Sequence, residues 1–202
     1  MVRYGIVIDL KRCIGCDTCT MACKAANATS RGIIWSRVLK YETGKYPHSK
    51  LNFLPVLCMH CEKPECLKVC PTGATIKRED GIVIIDSDKC IGCRYCMVAC
   101  PYAARYFFVE LRTYYPGHTT SYEKIGYKKH TLGTVQKCNL CLERVEQGLQ
   151  PACVVSCPGN ARFFGDLNDP DSEVSKLIKE RKGFVLNPEL GTNPSVYYLP
   201  ED

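Results

Sequence analysis

The sixteen cysteines of this chain are its most restrictive feature, because they fall into four groups of four. Groups one and three share the spacing C-x2-C-x2-C-x3-C, whereas the middle gap is four residues in group two and eleven in group four. The last three groups each end in Cys-Pro. In order, the groups are Cys13, Cys16, Cys19 and Cys23; Cys58, Cys61, Cys66 and Cys70; Cys90, Cys93, Cys96 and Cys100; and Cys138, Cys141, Cys153 and Cys157. The recurring spacing indicates that the cysteines bind something of fixed geometry.

Cysteine accounts for 7.9% of the residues (16/202), far above ordinary usage. Small secreted scaffolds reach such densities with disulfides because they cannot bury a sufficient core. A chain of this length does not need them. It opens MVRYGIVIDLKRC, which reads as a short strand rather than a signal peptide, and it has no run of eighteen apolar residues. We therefore expect free thiols that bind metal.

The run C-x2-C-x2-C-x3-C-P is typical of bacterial ferredoxins, which bind cubane [4Fe-4S] clusters. A tight loop can offer three thiolates to one cubane, and the fourth cysteine ligates the other cluster of the pair. Small residues such as Gly15 and Gly92 ease the loop backbone, whose amides then point at the cluster sulfurs. Four groups of four cysteines predict four clusters.

The chain between the groups indicates which of them pair. Groups two and three are separated by PTGATIKREDGIVIIDSDK, two short β-like runs joined at Glu79-Asp80-Gly81, an Asp-Gly hairpin signal. A hairpin of this size returns the chain beside its start, so these groups form one module, and groups one and four pair across the chain. The predicted fold is α+β, with two pseudo-symmetric bacterial-ferredoxin-like modules, one inserted in the other, short hairpins and helices, and an extended C-terminal tail.

Crossed ligation within each module divides the cysteines into four ligand sets, numbered here by their first cysteine. Set 1 is Cys13, Cys16, Cys19 and Cys157; set 2 is Cys23, Cys138, Cys141 and Cys153; set 3 is Cys58, Cys61, Cys66 and Cys100; set 4 is Cys70, Cys90, Cys93 and Cys96.

We expect the outer module at residues 1–50 and 131–165, the inserted module at 51–104, a variable loop at 105–130, and a C-terminal helix and tail at 166–202. The helix is EVSKLIKERK, capped by Asp171 or Ser172 and ended by Gly183. The tail LNPELGTNPSVYYLP has exposed-looking tyrosines. The aromatic residues that follow Arg105 either pack the loop or form a docking surface for a partner.

Structural zinc is the main alternative, because four zinc sites with four cysteines each would use the same sixteen residues. Zinc usually takes two C-x2-C knuckles per ion, whereas here a third and a fourth cysteine follow each pair. An all-disulfide pattern gives no reason for one spacing to recur. His60, inside CMHC, is either a ligand or a residue that packs or hydrogen-bonds beside a cluster.

The formal charge of +6 counts every cysteine as neutral. A cubane with four thiolates carries about −2, so four carry about −8 and the loaded protein is near −2 (6 − 8). The excess Lys and Arg are therefore interpreted as balancing sulfur charge, not as a nucleic-acid surface. The histidines lie far apart and there is no Gly-rich phosphate loop, so we expect electron transfer without catalysis by this chain.

The four groups in this order, PTGATIKREDGIVIIDSDKCIGCRYCMVACPY, and QKCNLCLERVEQGLQPACVVSCPGNARFFGDLNDPDSEVSKLI resemble one family. It is that of the four-cluster iron-sulfur subunits of the dimethyl sulfoxide reductase family of molybdopterin oxidoreductases. The tail is most similar to the polysulfide, thiosulfate, tetrathionate and arsenate reductase branches. The resemblance implies a molybdenum bis-pterin catalytic subunit as one partner and a quinone-reactive membrane anchor as another.

The resemblance also implies an electron path that starts at set 1, nearest the molybdenum subunit, and continues through set 2 and set 4 to set 3 at the membrane. Every ligand position is cysteine, so no three-iron cluster is expected. The alternative function is an independent polyferredoxin or a component of a formate dehydrogenase or hydrogenase. We expect a peripheral location on the cytoplasmic membrane, on its outer, periplasmic face through co-export with the catalytic subunit; the cytoplasmic face is the alternative.

Overall fold

The computed structural model describes residues 1–201, in which short strands and helices alternate. The strands are β1 (Tyr4–Asp9), β2 (Arg37–Thr43), β3 (Lys50–Val56), β4 (Thr75–Lys77), β5 (Val83–Ile85), β6 (Tyr106–Phe107), β7 (Val135–Gln136), β8 (Arg162–Asp166) and β9 (Val196–Leu199). The helices are α1 (Thr18–Asn27), α2 (Glu65–Lys68), α3 (Tyr95–Val98), α4 (Ser121–Gly126), α5 (Leu142–Val145), α6 (Ala152–Val155) and α7 (Glu173–Glu180). This mixture is the α+β class that the sequence predicts.

The largest sheet joins the two ends of the chain in the strand order β8-β1-β9. Strand β1 pairs antiparallel with β8 and parallel with β9. Its alternating side chains face two cores: Ile6 and Ile8 enter the main core, whereas Val7 packs with Val174 of α7 and Leu199 of β9. Because both faces are covered, β1 reads as a continuous apolar run rather than an alternating one.

The predicted extended tail contains a 3-10 turn at Pro188–Leu190 before strand β9, and its tyrosines are not all exposed. Tyr198 is fully buried, and its hydroxyl donates a hydrogen bond to the carbonyl of Pro55 (2.9 Å). The expectation of exposure was wrong at this residue because β9 inserts the tail beside β1 instead of leaving it on the surface.

The remaining sheets are two-stranded. The Asp-Gly hairpin is confirmed: β4 pairs with β5, and Gly81 in the connecting turn has a φ of +82°. The hairpin of β2 and β3 has seven paired positions and exposes most of β2; it was not predicted. Helix α7 begins after Ser172, whose hydroxyl accepts a hydrogen bond from the N–H of Ser175 (3.2 Å), which confirms Ser172 as the cap.

The segment 105–130, expected to be a loop, contains β6, α4 and a 3-10 turn at Tyr127–Lys129. The reason is a capping box at the start of α4, formed by Thr120 and Glu123. The carboxylate of Glu123 is almost fully buried and accepts hydrogen bonds from the N–H groups of Thr120 (2.8 Å) and Tyr114 (2.8 Å). The aromatic side chains of this segment divide, since Phe108 is buried and Tyr115 is exposed.

No helix within residues 1–201 has the length and apolar character required to cross a bilayer.

The hydrogen bonds to Glu123 make this segment testable. These hydrogen bonds lower the pKa of the Glu123 carboxyl from 4.5 to about 2, and the bond from the Thr120 N–H has the largest effect. Its contribution to stability is therefore complete above pH 4.5 and is lost only as the pH falls toward 2. We expect Glu123→Ala to speed amide hydrogen exchange at Tyr114 and Thr120 by up to about tenfold, equally at neutral and mildly alkaline pH. Glu110→Ala is the matched control, because Glu110 is exposed and its one ion pair within residues 1–201 is with Arg112. Unchanged exchange in Glu123→Ala would contradict this account.

Candidate metal centre

The four cysteine groups fold into two kinds of local structure. In groups one and three, a loop runs into α1 or α3 through a cap residue with positive φ, Asp17 (+59°) or Arg94 (+64°). In groups two and four, a proline, Pro64 or Pro151, precedes the four-residue helix α2 or α6. Both of these helices end in a residue with φ of −92° and ψ of 1°. Each kind of local structure therefore occurs twice. One copy of each lies in the neighbouring groups two and three, and the other copies lie in groups one and four.

The cysteines of set 1 line one cavity, whose empty volume is about 360 Å³. They come from groups one and four, which are more than a hundred residues apart in the chain. Cys16 is exposed, so this cavity lies at the protein surface. The N–H of Ala161 donates a hydrogen bond to the Sγ of Cys157 (3.3 Å).

The cysteines of set 4 line a second cavity, with an empty volume of about 320 Å³. Here Cys70 of group two joins three cysteines of group three. Cys93 is exposed, and the N–H of Val135 donates a hydrogen bond to the Sγ of Cys90 (3.5 Å). Each surface cavity is thus lined by the first three cysteines of one group and the last cysteine of another.

The four cysteines of set 2 are buried, and the four of set 3 are partly buried. The pKa of Cys23 is raised to about 12, mainly by burial and then by the neighbouring thiols of Cys153 and Cys141. Burial and the thiol of Cys58 raise the pKa of Cys61 to about 12, with Cys66 and Cys100 also contributing. The structure therefore brings together thiols from groups one and four, and from groups two and three, in the interior as well.

Electrostatic influences between thiols show which sets lie near one another. Burial raises the pKa of Cys153 in set 2, and Cys19 of set 1 adds to this. Burial also raises the pKa of Cys138 in set 2, and Cys58 of set 3 adds to this. The main core includes cysteines of sets 1, 2 and 3, whereas set 4 lies outside it. The expected path has set 4 beside set 2, whereas in the structure it is Cys58 of set 3 that lies near Cys138 of set 2 and packs against the same core.

The chemistry of the sets suits an iron–sulfur cluster. All sixteen cysteines are free thiols in this structure. Within residues 1–201, no three His, Cys, Asp or Glu side chains are placed to bind one single metal ion directly. A zinc ion requires ligands at about 2.0–2.3 Å, whereas a cubane separates its four thiolates by the width of the cluster. Backbone N–H groups that donate to sulfur, as Leu140 does to Cys138 (3.4 Å), are of the kind that tunes such clusters.

His60 lies in the core rather than at a ligand position. It is 1% exposed, and its Nδ1 accepts a hydrogen bond from the N–H of Val83 (3.1 Å). Burial and the nearby cations of Lys137 and Arg105 hold its pKa well below the ordinary value, so the imidazole is neutral. These contacts favour the interpretation of His60 as a residue that packs beside set 3.

Two buried arginines beside the cysteines were missed in the sequence. Arg105 and Arg162 are each 4% exposed and line the cavities of set 4 and set 1, respectively. The signal that could have found them is a repeat, since CPYAAR and CPGNAR place an arginine five residues after Cys100 and Cys157.

Comparison with known proteins identifies the family. One model, described as a 4Fe-4S dicluster domain, matches residues 49–114 and 118–167, and a second with the same description matches residues 12–74. The chain is 44% identical to a selenate reductase subunit of Mesobacillus selenatarsenatis, over 98% of this chain and 72% of that protein. It is 41% identical to a tetrathionate reductase subunit of Salmonella typhimurium, over 99% of this chain and 73% of that protein. It is 40% identical to the arsenate respiratory reductase iron-sulfur subunit of Shewanella sp., over 98% of this chain and 96% of that protein.

The chain therefore belongs to the family of iron-sulfur subunits of the dimethyl sulfoxide reductase family of molybdopterin oxidoreductases. Its fold consists of ferredoxin-like 4Fe-4S dicluster domains, and its function is electron transfer within a reductase complex.

The glycines of the cysteine loops provide a test of how closely the chain packs there. Gly92, between Cys90 and Cys93, has a φ of +68°, and a Cβ at this position would lie 2.1 Å from the carbonyl oxygen of Gly133. Gly73 has a φ of +66° but no heavy atom within 4 Å of its Cβ position, so it is a matched control. Both alanine variants incur the strain of positive φ, about 1–2 kcal/mol. We expect Gly92→Ala also to lower the iron-to-protein ratio, whereas Gly73→Ala should leave it unchanged. Equal ratios in the two variants would contradict the importance of the close approach between position 92 and Gly133.

Proposed function

We propose that the chain holds four [4Fe-4S] clusters, one in each of sets 1 to 4, and relays electrons between a molybdopterin catalytic subunit and a quinone-reactive membrane anchor. The observation that carries the proposal is the crossed composition of the two surface cavities. Each is lined by three cysteines of one group and one of another, as expected for ferredoxin-type pairs. When bound, a cubane supplies a one-electron redox centre.

The residues of the chain supply the rest of the relay. Sets 1 and 4 each include an exposed cysteine, Cys16 or Cys93, so they are suited to exchange electrons with partner proteins at the surface. Sets 2 and 3 are adjacent through Cys138 and Cys58. The proposed order is set 1, set 2, set 3 and set 4, in which each end includes an exposed cysteine and neither middle set does.

The duplicated local structures support the arrangement of two pseudo-symmetric modules, one inserted in the other. The inserted module contains sets 3 and 4 with the β4–β5 hairpin, and the outer module contains sets 1 and 2 with the β8-β1-β9 sheet. Strand β1 leads directly into Cys13, and β5 leads in the same way toward Cys90.

The partners and location are proposed from the relatives. Selenate, tetrathionate and arsenate respiratory reductases each include a subunit similar to this chain, so a molybdopterin catalytic subunit is the first proposed partner. We place the complex at the cytoplasmic membrane, on its outer face, with set 1 toward the catalytic subunit and set 4 toward the anchor.

Purification of the native complex tests the partners. We expect the chain to co-elute with a molybdenum-containing protein, to be brown, and to contain about sixteen irons and as much acid-labile sulfide from its own four cubanes. Elution alone without molybdenum would favour an independent polyferredoxin. A colourless protein that contains zinc would overturn the proposed clusters.

Reciprocal cysteine variants test the crossed ligation. Cys100 belongs to group three by sequence and to set 3 by proposal, whereas Cys70 belongs to group two and to set 4. We expect Cys100→Ser to convert the set 3 cluster to a three-iron centre, since loss of one thiolate favours release of one iron, and to leave set 4 intact. Cys70→Ser should do the reverse. Electron paramagnetic resonance distinguishes the two.

The same variants test the relay. Because set 3 lies between set 2 and set 4, Cys100→Ser should reduce quinol-driven turnover while turnover with an artificial donor to the catalytic subunit persists. Damage to the Cys90 group in Cys100→Ser would refute the crossed ligation.

A further inference from the structure

The interior contains two arginines that have no carboxylate partner. Arg105 and Arg162 are both 4% exposed, and no ion pair within residues 1–201 involves either of them. A buried charge without a counter-ion is costly, so each must be compensated by something else nearby.

Arg162 lies where set 1 meets set 2. It lines the cavity of set 1. Its guanidinium also lies beside the thiols of Cys153 in set 2 and Cys19 in set 1. Its Nη2 donates a hydrogen bond to the hydroxyl of Ser36 (3.4 Å), and its Nη1 is buried without a hydrogen-bond partner in residues 1–201.

Arg105 lies in the same way where set 3 meets set 4. It lines the cavity of set 4. Its guanidinium lies beside Cys66 of set 3 and Cys96 of set 4. Its Nη1 donates a hydrogen bond to the hydroxyl of Thr75 (3.2 Å), and its Nη2 has no partner in the described chain.

Lys137, at the junction of sets 2 and 3, differs from the arginines. Its ammonium donates to the carbonyls of Cys138 (2.6 Å) and Val83, so hydrogen bonds already satisfy it. The two arginines instead retain an unpaired donor at the edge of the ligand sets.

We propose that Arg162 and Arg105 are inter-cluster cations, each of which raises the reduction potentials of the two clusters that flank it and reduces the repulsion between them. The proposal rests on the proposed function, because it requires clusters in all four sets. The arginines are positioning and tuning residues, not ligands.

The physical reason is the charge of a cluster with its thiolates, about −2 when oxidised and about −3 when reduced. A fixed positive charge in a low-dielectric interior stabilises the more negative state, which raises the reduction potential. Arginine is suited to this position because it stays protonated even when buried, and its planar group offers donors to both sides. One cation between two clusters acts on both, so the potentials change in pairs.

The experiment is a redox titration of the loaded complex, monitored by electron paramagnetic resonance. Arg105→Gln should lower the midpoint potentials of the clusters in sets 3 and 4 and leave sets 1 and 2 unchanged. Arg162→Gln should lower those of sets 1 and 2 only, so each variant is the control for the other. We expect each affected reduction equilibrium to change about tenfold or more, which is about 59 mV for one electron. Arg78→Gln is a surface control, because Arg78 pairs with Asp80 and Glu146 and should shift neither pair.

The outcomes separate the two proposals. A wild-type complex with fewer than four clusters means that the proposed function fails. Four clusters with unchanged potentials in both glutamine variants, or equal shifts in all four clusters, overturn the role of the arginines. If a glutamine variant loses its clusters, Arg105→Lys and Arg162→Lys distinguish a role for the positive charge from a role for the shape of the side chain. Full loading with nearly wild-type potentials supports a role for the charge, whereas the same loss in the lysine variants overturns it, because shape would then matter instead.

Discussion

The structure depends on the burial of sulfur ligands within a small hydrophobic core. Cys19, Cys23, Cys138 and Cys153 belong to the main core, beside side chains such as Ile6 and Tyr198. Burial raises the pKa of the thiols of Cys23, Cys138 and Cys153, so the metal-free interior favours their neutral form. Metal binding requires thiolates, and it therefore releases protons and compensates the buried charge at the same time. Folding of this core and loading of the proposed clusters are consequently coupled.

The β8-β1-β9 sheet joins the sulfur-containing core to both ends of the chain. Strand β1 ends at Asp9, which is 1% exposed and accepts hydrogen bonds from the N–H groups of Lys11 (3.0 Å) and Arg12 (3.2 Å). The same carboxylate pairs with Arg181, just after α7. The loop that begins group one is thereby fixed to the C-terminal helix and the tail. The C-terminal part of the chain thus holds the start of cysteine group one in place, although it contains no cysteine after Cys157.

What the sequence could predict was set by local geometry. The Asp-Gly turn at Gly81 and the cap at Ser172 each involve residues a few positions apart, and the structure has both. The recurring cysteine spacing also predicted the crossed sets that line the two surface cavities. The order of the sets could not be read in this way, because the contact between Cys138 and Cys58 depends on how group two packs against group four. Helix α4 was missed because its capping box at Thr120 lies within a segment that has little hydrophobic periodicity.

In the two proposed modules, a buried arginine beside the cysteines donates to different partners. In the inserted module, the arginine five residues after Cys100 donates to Thr75, which itself lies five residues after Cys70. The corresponding residue after Cys23 is Ala28, which has no side-chain acceptor. In the outer module Arg162 donates instead to Ser36, which lies just before β2. An arginine is retained at both junctions while its hydrogen-bond partner is not, so the feature common to the two modules is the positive charge beside the sulfurs.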